Sequence, residues 1–241
     1  MSLTRVLAFS SSRVGNSAYL ETAISPIKEF LGDRPLRIAF IPFADADNNY
    51  DAYLAKVAEG LKILPYRFDV VKRENAKMVI EQAEAIMVGG GNTFKLLHHL
   101  YEYKLIDLIK DQVKAGKPYV GWSAGSNIAG LSIGTTNDMP IIEPESFKGL
   151  GFLPCQINPH YINMKQDGHN GETRDERLHE FLKINPQASI VALPEGSALQ
   201  LEEDILKLAG QAPAVLFRLD PQNSSLIRAA IQTNEDVSWL L

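Results

Sequence analysis

Short continuous apolar runs alternate with longer runs in which apolar residues recur every three or four positions. RVLAFSSS (Arg5 to Ser12) has the unbroken apolar character of a strand buried on both faces. SAYLETAISPIKEFLG (Ser17 to Gly32) has helical spacing, with Asn16 or Ser17 as its cap and Gly32 as its stop. LRIAFIPFA is a second strand, Asp51 to Leu64 a helix, YRFDVVKR a third strand and NAKMVIEQAE a short helix. AEAIMVGGG is a fourth strand ending in three glycines, Thr93 to Gly116 is a long helical pattern broken near Tyr103, and PYVGWS is a fifth strand. This βαβα rhythm predicts an α/β fold: a three-layer α/β/α sandwich around a mostly parallel central sheet.

After Ser123 the pattern loosens. TTNDMPIIEPESF is rich in turn formers, QINPHYI reads as a short strand, and TRDERLHEFLKINP reads as a helix capped by Thr173. SIVALPEG, SALQLEEDILKLAG and PAVLFRLD read as strands joined by tight turns. No internal repeat, low-complexity stretch or linker interrupts the pattern, so residues 1–241 are expected to form one domain.

Composition changes this picture little. Apolar residues make up 45% and charged residues 22%, ordinary for a globular chain, and the formal net charge is −5. That mild acidity argues against nucleic acid and against an anionic membrane surface, because both need clustered Lys and Arg. No apolar run approaches the ~20 residues that span a bilayer. The N-terminus reads as a first strand rather than a signal peptide. The lone Cys155, beside Pro154, excludes an intrachain disulfide, fits a reduced cytoplasmic setting and reads as a small buried apolar residue.

In parallel α/β sheets ligands sit beyond the carboxyl ends of strands. Two loops there carry candidate chemistry. Gly89-Gly90-Gly91-Asn92 either cradles an anion or oxyanion with backbone N–H groups or is a plain helix entry. It matches neither a dinucleotide fingerprint nor a P-loop. The second loop, Gly121-Trp122-Ser123-Ala124-Gly125, matches G-x-S-x-G in a strand-turn-helix context, which presents a serine nucleophile on a sharp elbow. A serine hydroxyl needs a base and a group to orient it. Of five histidines, His98 and His99 fall in the long helix, His179 in a charged helix and His169 in the turn DGHNGE. His160 ends the extended run QINPH at another strand end and is the candidate base. Asp138 and Glu195 are both candidates for the orienting acid. The order Ser123, His160, Glu195 is preferred, because each member then sits at the end of a strand. Arg174 could grip a carboxylate through its planar fork, but it and Arg177 sit among Glu172, Asp175 and Glu176, and the residues by themselves favour surface ion pairing.

The set GGGNTF, GWSAGSN, TTNDMP, QINPH, GETRDER and LPEG resembles the peptidase E family of α-aspartyl dipeptidases, serine peptidases with a class I glutamine amidotransferase-like fold. The matching motifs run from Gly89 to Gly196. The resemblance implies that Ser123 is the nucleophile, His160 the general base and Glu195 the third member of the triad. It implies that Gly91 and Ala124 supply oxyanion-hole N–H groups, that Asn92 and Asp138 line the site, and that Arg174 holds the side-chain carboxylate of an N-terminal aspartate. The expectation is a cytoplasmic hydrolase of Asp-Xaa dipeptides that forms an acyl-enzyme and uses no metal or cofactor. It is expected to act as a monomer or homodimer, without nucleic-acid or membrane partners. The alternatives are a cyanophycinase-like or isoaspartyl peptidase on the same scaffold, and a non-catalytic domain binding a small acidic ligand.

Overall fold

The structure, a computed structural model, describes residues 4–164, 168 and 170–241. The central sheet has seven strands in the order β3-β2-β4-β5-β1-β8-β9. Its strands β1 (Val6–Phe9), β2 (Leu36–Ile41), β3 (Tyr66–Val70), β4 (Ala85–Val88) and β5 (Tyr119–Trp122) are parallel. The hairpin β8 (Ser197–Glu202) and β9 (Ile205–Gly210) extends it antiparallel beside β1. The mostly parallel central sheet read from the sequence is present.

Helices cover both faces, which is why β1, β4 and β5 are apolar at every position. One face carries Leu7, Ile38, Phe40, Met87, Val120 and Trp122 against α1 (Ile24–Leu31) and α2 (Tyr50–Gly60). The other carries Ala8, Ala39, Ile41, Ile86 and Val88 against α3 (Ala76–Gln82), α4 (Thr93–Glu102) and α5 (Ile106–Lys114). Each fully buried Leu or Ile contributes roughly 1.5–3 kcal/mol, so a charge anywhere in these strands is costly. Among the described residues no helix is long and apolar enough to cross a membrane.

In three places the structure departs from or sharpens the sequence pattern. The segment expected to be helical from Ser17 becomes regular helix only at Ile24, after a single 3-10 turn at Glu21–Ala23. Ser17 closes a tight turn with Val14 instead of capping, and Leu20 takes φ 59°, which a helix cannot include. Second, Tyr103 does break the long pattern, into α4 and α5. Third, the C-terminal strands do not all join the central sheet. The strands β6 (Gln156–Asn158), β7 (Ile190–Ala192), β10 (Ala214–Leu219) and β11 (Leu226–Ile231) form a second sheet in the order β11-β10-β7-β6, with β6 and β7 parallel. The sequence pattern does not single out β11, an edge strand exposed at Arg228, Ala229 and Ala230.

Glycine governs the closest approach between layers. A Cβ on Gly125, in the short helix α6 (Ala124–Asn127), would collide with the Val88 carbonyl of β4, and one on Gly121 would lie 2.6 Å from the Gly125 carbonyl. The first prediction follows from this contact. Gly125→Ala forces backbone against backbone, and a thermal melt should show a loss of about 1–3 kcal/mol of stability.

Candidate active site

Ser123 stands at the carboxyl end of β5, where the strand turns into α6. Its backbone has φ 54° and ψ −113°, a conformation that non-glycine residues rarely hold. The turn is pinned on both sides: the Ser123 N–H donates to the Phe9 carbonyl, and the Ser126 and Asn127 N–H groups donate to the Ser123 carbonyl. Tyr119 and Ser126 hydroxyls donate to the Gly125 and Phe9 carbonyls, holding α6 against β1 and β5. The flanking glycines serve this close packing, and the strain serves to push the Ser123 side chain out.

His160 and Glu195 come from the other sheet, just past the ends of the parallel neighbours β6 and β7. The imidazole lies between the two other side chains. Its Nε2 is 3.0 Å from Ser123 Oγ and its Nδ1 is 3.0 Å from Glu195 Oε1. An ionised carboxylate only accepts hydrogen bonds, so it fixes the ring proton on Nδ1 and leaves Nε2 able to take one from the serine. His160 is also in the left-handed region, at φ 51°. Its N–H donates to Ser10 Oγ, and the Ser10 hydroxyl donates to the Leu193 carbonyl. Ser10 ends β1, is fully buried, and so links the two sheets beneath the histidine. Nothing in the sequence marked it, because a serine after an apolar strand is commonplace.

The glycine loop after β4 lies against the same serine. A Cβ on Gly90 would sit 2.9 Å from Ser123 Cβ, and Gly91 takes φ 132° with its Cα facing the Ala44 carbonyl. Neither the Gly91 N–H nor the Ala124 N–H donates to a protein group among the described residues. Asn92 caps α4 by accepting from the Lys95 N–H and donates to the Met139 carbonyl. Asp138 accepts from the Thr93 N–H and hydroxyl at the same helix start. Its neighbour Asn137 donates to the Pro159 carbonyl, just before His160. Asn137 and Asp138 together therefore tie the start of α4 to the histidine loop, and Asp138 does not line the cavity described below.

The cavity over Ser123 and His160 has a volume of about 610 Å³, within the range that takes small molecules. Gly90, Gly91, Asn92 and Trp122 line it, together with Asp45, Asp47, Tyr53 and Lys56, which the sequence did not single out. Lys95 shapes that wall from behind. Its buried ammonium donates to the Phe43 carbonyl, Asn48 Oδ1 and the Tyr50 hydroxyl, and burial lowers its pKa.

Arg174 opens α7 (Arg174–Ile184), beside the segment that follows His160: the Asp175 N–H donates to Asn163 Oδ1, and the Tyr161 hydroxyl donates to Asp175. Thr173 caps this helix as read, in a reciprocal capping box with Glu176. The expected surface pairing of Arg174 is absent. It is half-buried, it has no carboxylate within ion-pair distance among the described residues, and burial and then Arg177 lower its pKa. It does not line the cavity described above.

The remaining candidates lie elsewhere. His98 Nδ1 is 2.8 Å from the Glu143 carbonyl and His99 Nδ1 is 3.1 Å from Glu102. Those three side chains, His98, His99 and Glu102, are close enough together to hold a metal, at the end of α4 away from Asn92. His179 lies in α7, and His169 falls outside the described residues. Cys155 is buried, and burial pushes its thiol up to about 12, far from a reactive thiolate.

The Ser10 link yields the second prediction. Ser10→Ala leaves the His160 N–H without a partner and removes one of the two donors to the Leu193 carbonyl, which keeps the Tyr161 N–H, and a urea titration should show about 1–3 kcal/mol of lost stability.

Comparison with known proteins agrees with this architecture. Peptidase E of Shewanella amazonensis is 50% identical over 238 residues, covering 98% of this chain and 99% of its own. Peptidase E of Shewanella oneidensis is 48% identical over 236 residues, covering 98% of both chains. The crystal structure of a peptidase from an acI-B1 actinobacterium shares the fold, with a TM-score of 0.65 at 16% identity, covering 98% of this chain and 97% of that one. Residues 6–209 match the model described as Peptidase family S51. The chain therefore belongs to peptidase family S51 and is a peptidase of the serine type.

Proposed function

We propose that this peptidase cleaves dipeptides with an N-terminal aspartate, with Ser123 as nucleophile, His160 as general base and Glu195 as the group that orients it. The observation that carries the reading is the single imidazole within 3.0 Å of both Ser123 Oγ and Glu195 Oε1. In this reading Ser123 Oγ attacks the aspartyl carbonyl while its proton passes to His160 Nε2. The oxyanion is received by the Gly91 and Ala124 N–H groups, whose lack of protein acceptors among the described residues supports that role. His160 then gives the proton to the departing amine, and water releases aspartate from the acyl-enzyme by the reverse use of the same base.

Arg174 is the proposed partner of the aspartyl side chain. A half-buried guanidinium with no carboxylate partner among the described residues suits an anionic ligand, since burial makes an unpaired charge costly. Asp45 and Asp47 on the cavity wall suit the substrate's free ammonium, and Asn92 lines the same wall. Asp138 acts in this reading by holding the start of α4. The enzyme is proposed to work in the cytoplasm, in keeping with its lone buried thiol.

The test is hydrolysis of an α-aspartyl p-nitroanilide beside its Glu, Asn and isoaspartyl counterparts. Cleavage of the α-Asp compound alone supports the reading, and cleavage of the isoaspartyl compound instead would move it to a β-linked substrate. Ser123→Ala should lower kcat by at least about 10³-fold while the melting profile stays near wild type. Arg174→Met should raise KM for the α-Asp compound by about 30- to 100-fold, as expected for a lost charge-assisted pair, and spare reaction with a fluorophosphonate that carries no carboxylate.

A further inference from the structure

A chain of hydrogen bonds runs along the cavity wall and ends on the glycine loop. Trp122 Nε1 donates to the Tyr19 hydroxyl at 3.1 Å, Tyr19 donates to the Tyr53 hydroxyl at 3.3 Å, and Tyr53 donates to the Gly90 carbonyl at 2.9 Å. An indole N–H can only donate and a carbonyl can only accept, so the direction of every link is fixed. Burial raises the pKa of both phenols, Tyr53 the more strongly, so both hydroxyls keep their protons. The rings are locked as well. Trp122 stacks on Phe40, Tyr53 meets Phe40 edge-on, and Tyr19 meets Trp122 edge-on. The fit at the loop is close enough that a Cβ on Gly89 would lie 2.5 Å from the Tyr53 hydroxyl.

The carbonyl that receives Tyr53 belongs to the same peptide group as the Gly91 N–H. A trans peptide is planar, and its C=O and N–H point in opposite directions. Holding the Gly90 oxygen on the Tyr53 side therefore aims the Gly91 N–H the other way. That peptide needs holding, because the loop is three consecutive glycines and could turn the plane over at little steric cost. Donation into the carbonyl also polarises the amide, which strengthens the bond its N–H can give. The relay begins at Trp122, the residue before Ser123, so it ties the glycine loop to the nucleophile's own strand.

We infer that Tyr53, backed by Tyr19 and Trp122, is a positioning residue that sets the Gly90–Gly91 peptide so that the Gly91 N–H meets the oxyanion formed at Ser123. The inference rests on the serine-hydrolase reading given above and adds to it a group outside the triad that acts through the Gly90–Gly91 peptide.

The experiment compares Tyr53→Phe and Tyr19→Phe with wild type, using two reagents. The first is the α-aspartyl p-nitroanilide. The second is a fluorophosphonate, whose P=O needs the oxyanion pocket but whose reaction needs no aspartyl recognition. Tyr53→Phe keeps the ring and removes the donor. It should lower kcat about 10- to 50-fold, less than outright loss of an oxyanion donor, with KM within about twofold. Fluorophosphonate inactivation should slow by the same factor, and the pH midpoint of kcat/KM should stay in place because the base is untouched. Tyr19→Phe, which leaves the Tyr53 bond to Gly90 intact, should cost only a few-fold, and it keeps the test open if Tyr53→Phe fails to fold. A folded Tyr53→Phe that matches wild type with both reagents, or that changes only its melting temperature or KM, overturns the inference and leaves the peptidase reading intact. A wild-type enzyme that ignores the aspartyl compound but reacts with the fluorophosphonate sinks the substrate assignment, and the inactivation rates still decide the role of Tyr53. Silence toward both reagents overturns both.

Discussion

The site exists because two sheets are held together, and the buried hydroxyl of Ser10 joins them beneath the histidine. It accepts from the His160 N–H and donates to the Leu193 carbonyl, so one side chain of the central sheet satisfies two backbone groups of the other. Ser123 belongs to the first sheet, while His160 and Glu195 belong to the second. A slip of even 1 Å at this seam would part the imidazole from the serine. Other bonds guard the same register: Asn127 and Thr135 both donate to the Ile157 carbonyl, and Asn158 donates to the Thr135 carbonyl.

Strain is concentrated where the seam closes. Ser123 and His160 both hold positive φ, each at a cost of about 1–3 kcal/mol in isolation. Neither residue could stay there alone. The Ser123 turn is held by bonds to Phe9, Ser126 and Asn127, and the His160 turn by Ser10. The surroundings offset the strain, and the result is a serine and an imidazole that face one another from different sheets.

A third set of contacts orders the loops around this pair. Asn92, Thr93 and Asp138 meet at the start of α4, where unpaired helical N–H groups favour a carboxylate. Asp138 had two readings in the sequence, acid of a triad or wall of a site. It satisfies the start of α4 while Glu195 lies against the imidazole. Lys95, one turn further on, ties the loop bearing Asp45 and Asp47 to the same helix. Opposite them the relay from Trp122 to Gly90 braces the glycine loop.

Local chemistry made much of this legible in advance. Continuous apolar strands alternating with amphipathic helices require a covered parallel sheet, and the sequence carries that pattern through Trp122. The glycines around Ser123 and the threonine before Arg174 each satisfy a need of the backbone within a few residues, so they could be read without knowing the fold. Contacts between distant segments could not. Ser10 and His160 are 150 positions apart, and Tyr19 and Trp122 are 103 apart, so no periodicity connects them. The acidic neighbours of Arg174 suggested ion pairs, but Asp175 turns to Tyr161 and Arg228 and leaves the guanidinium unmatched among the described residues. The sequence alone determined which segments are strands and helices and which strand ends could carry chemistry, because those depend on burial and backbone conformation over short spans. Tertiary structure decided that β6, β7, β10 and β11 form a second sheet while β8 and β9 join the first, and which polar side chains meet across the seam, because a hydrogen bond depends on distance in space and not on distance along the chain.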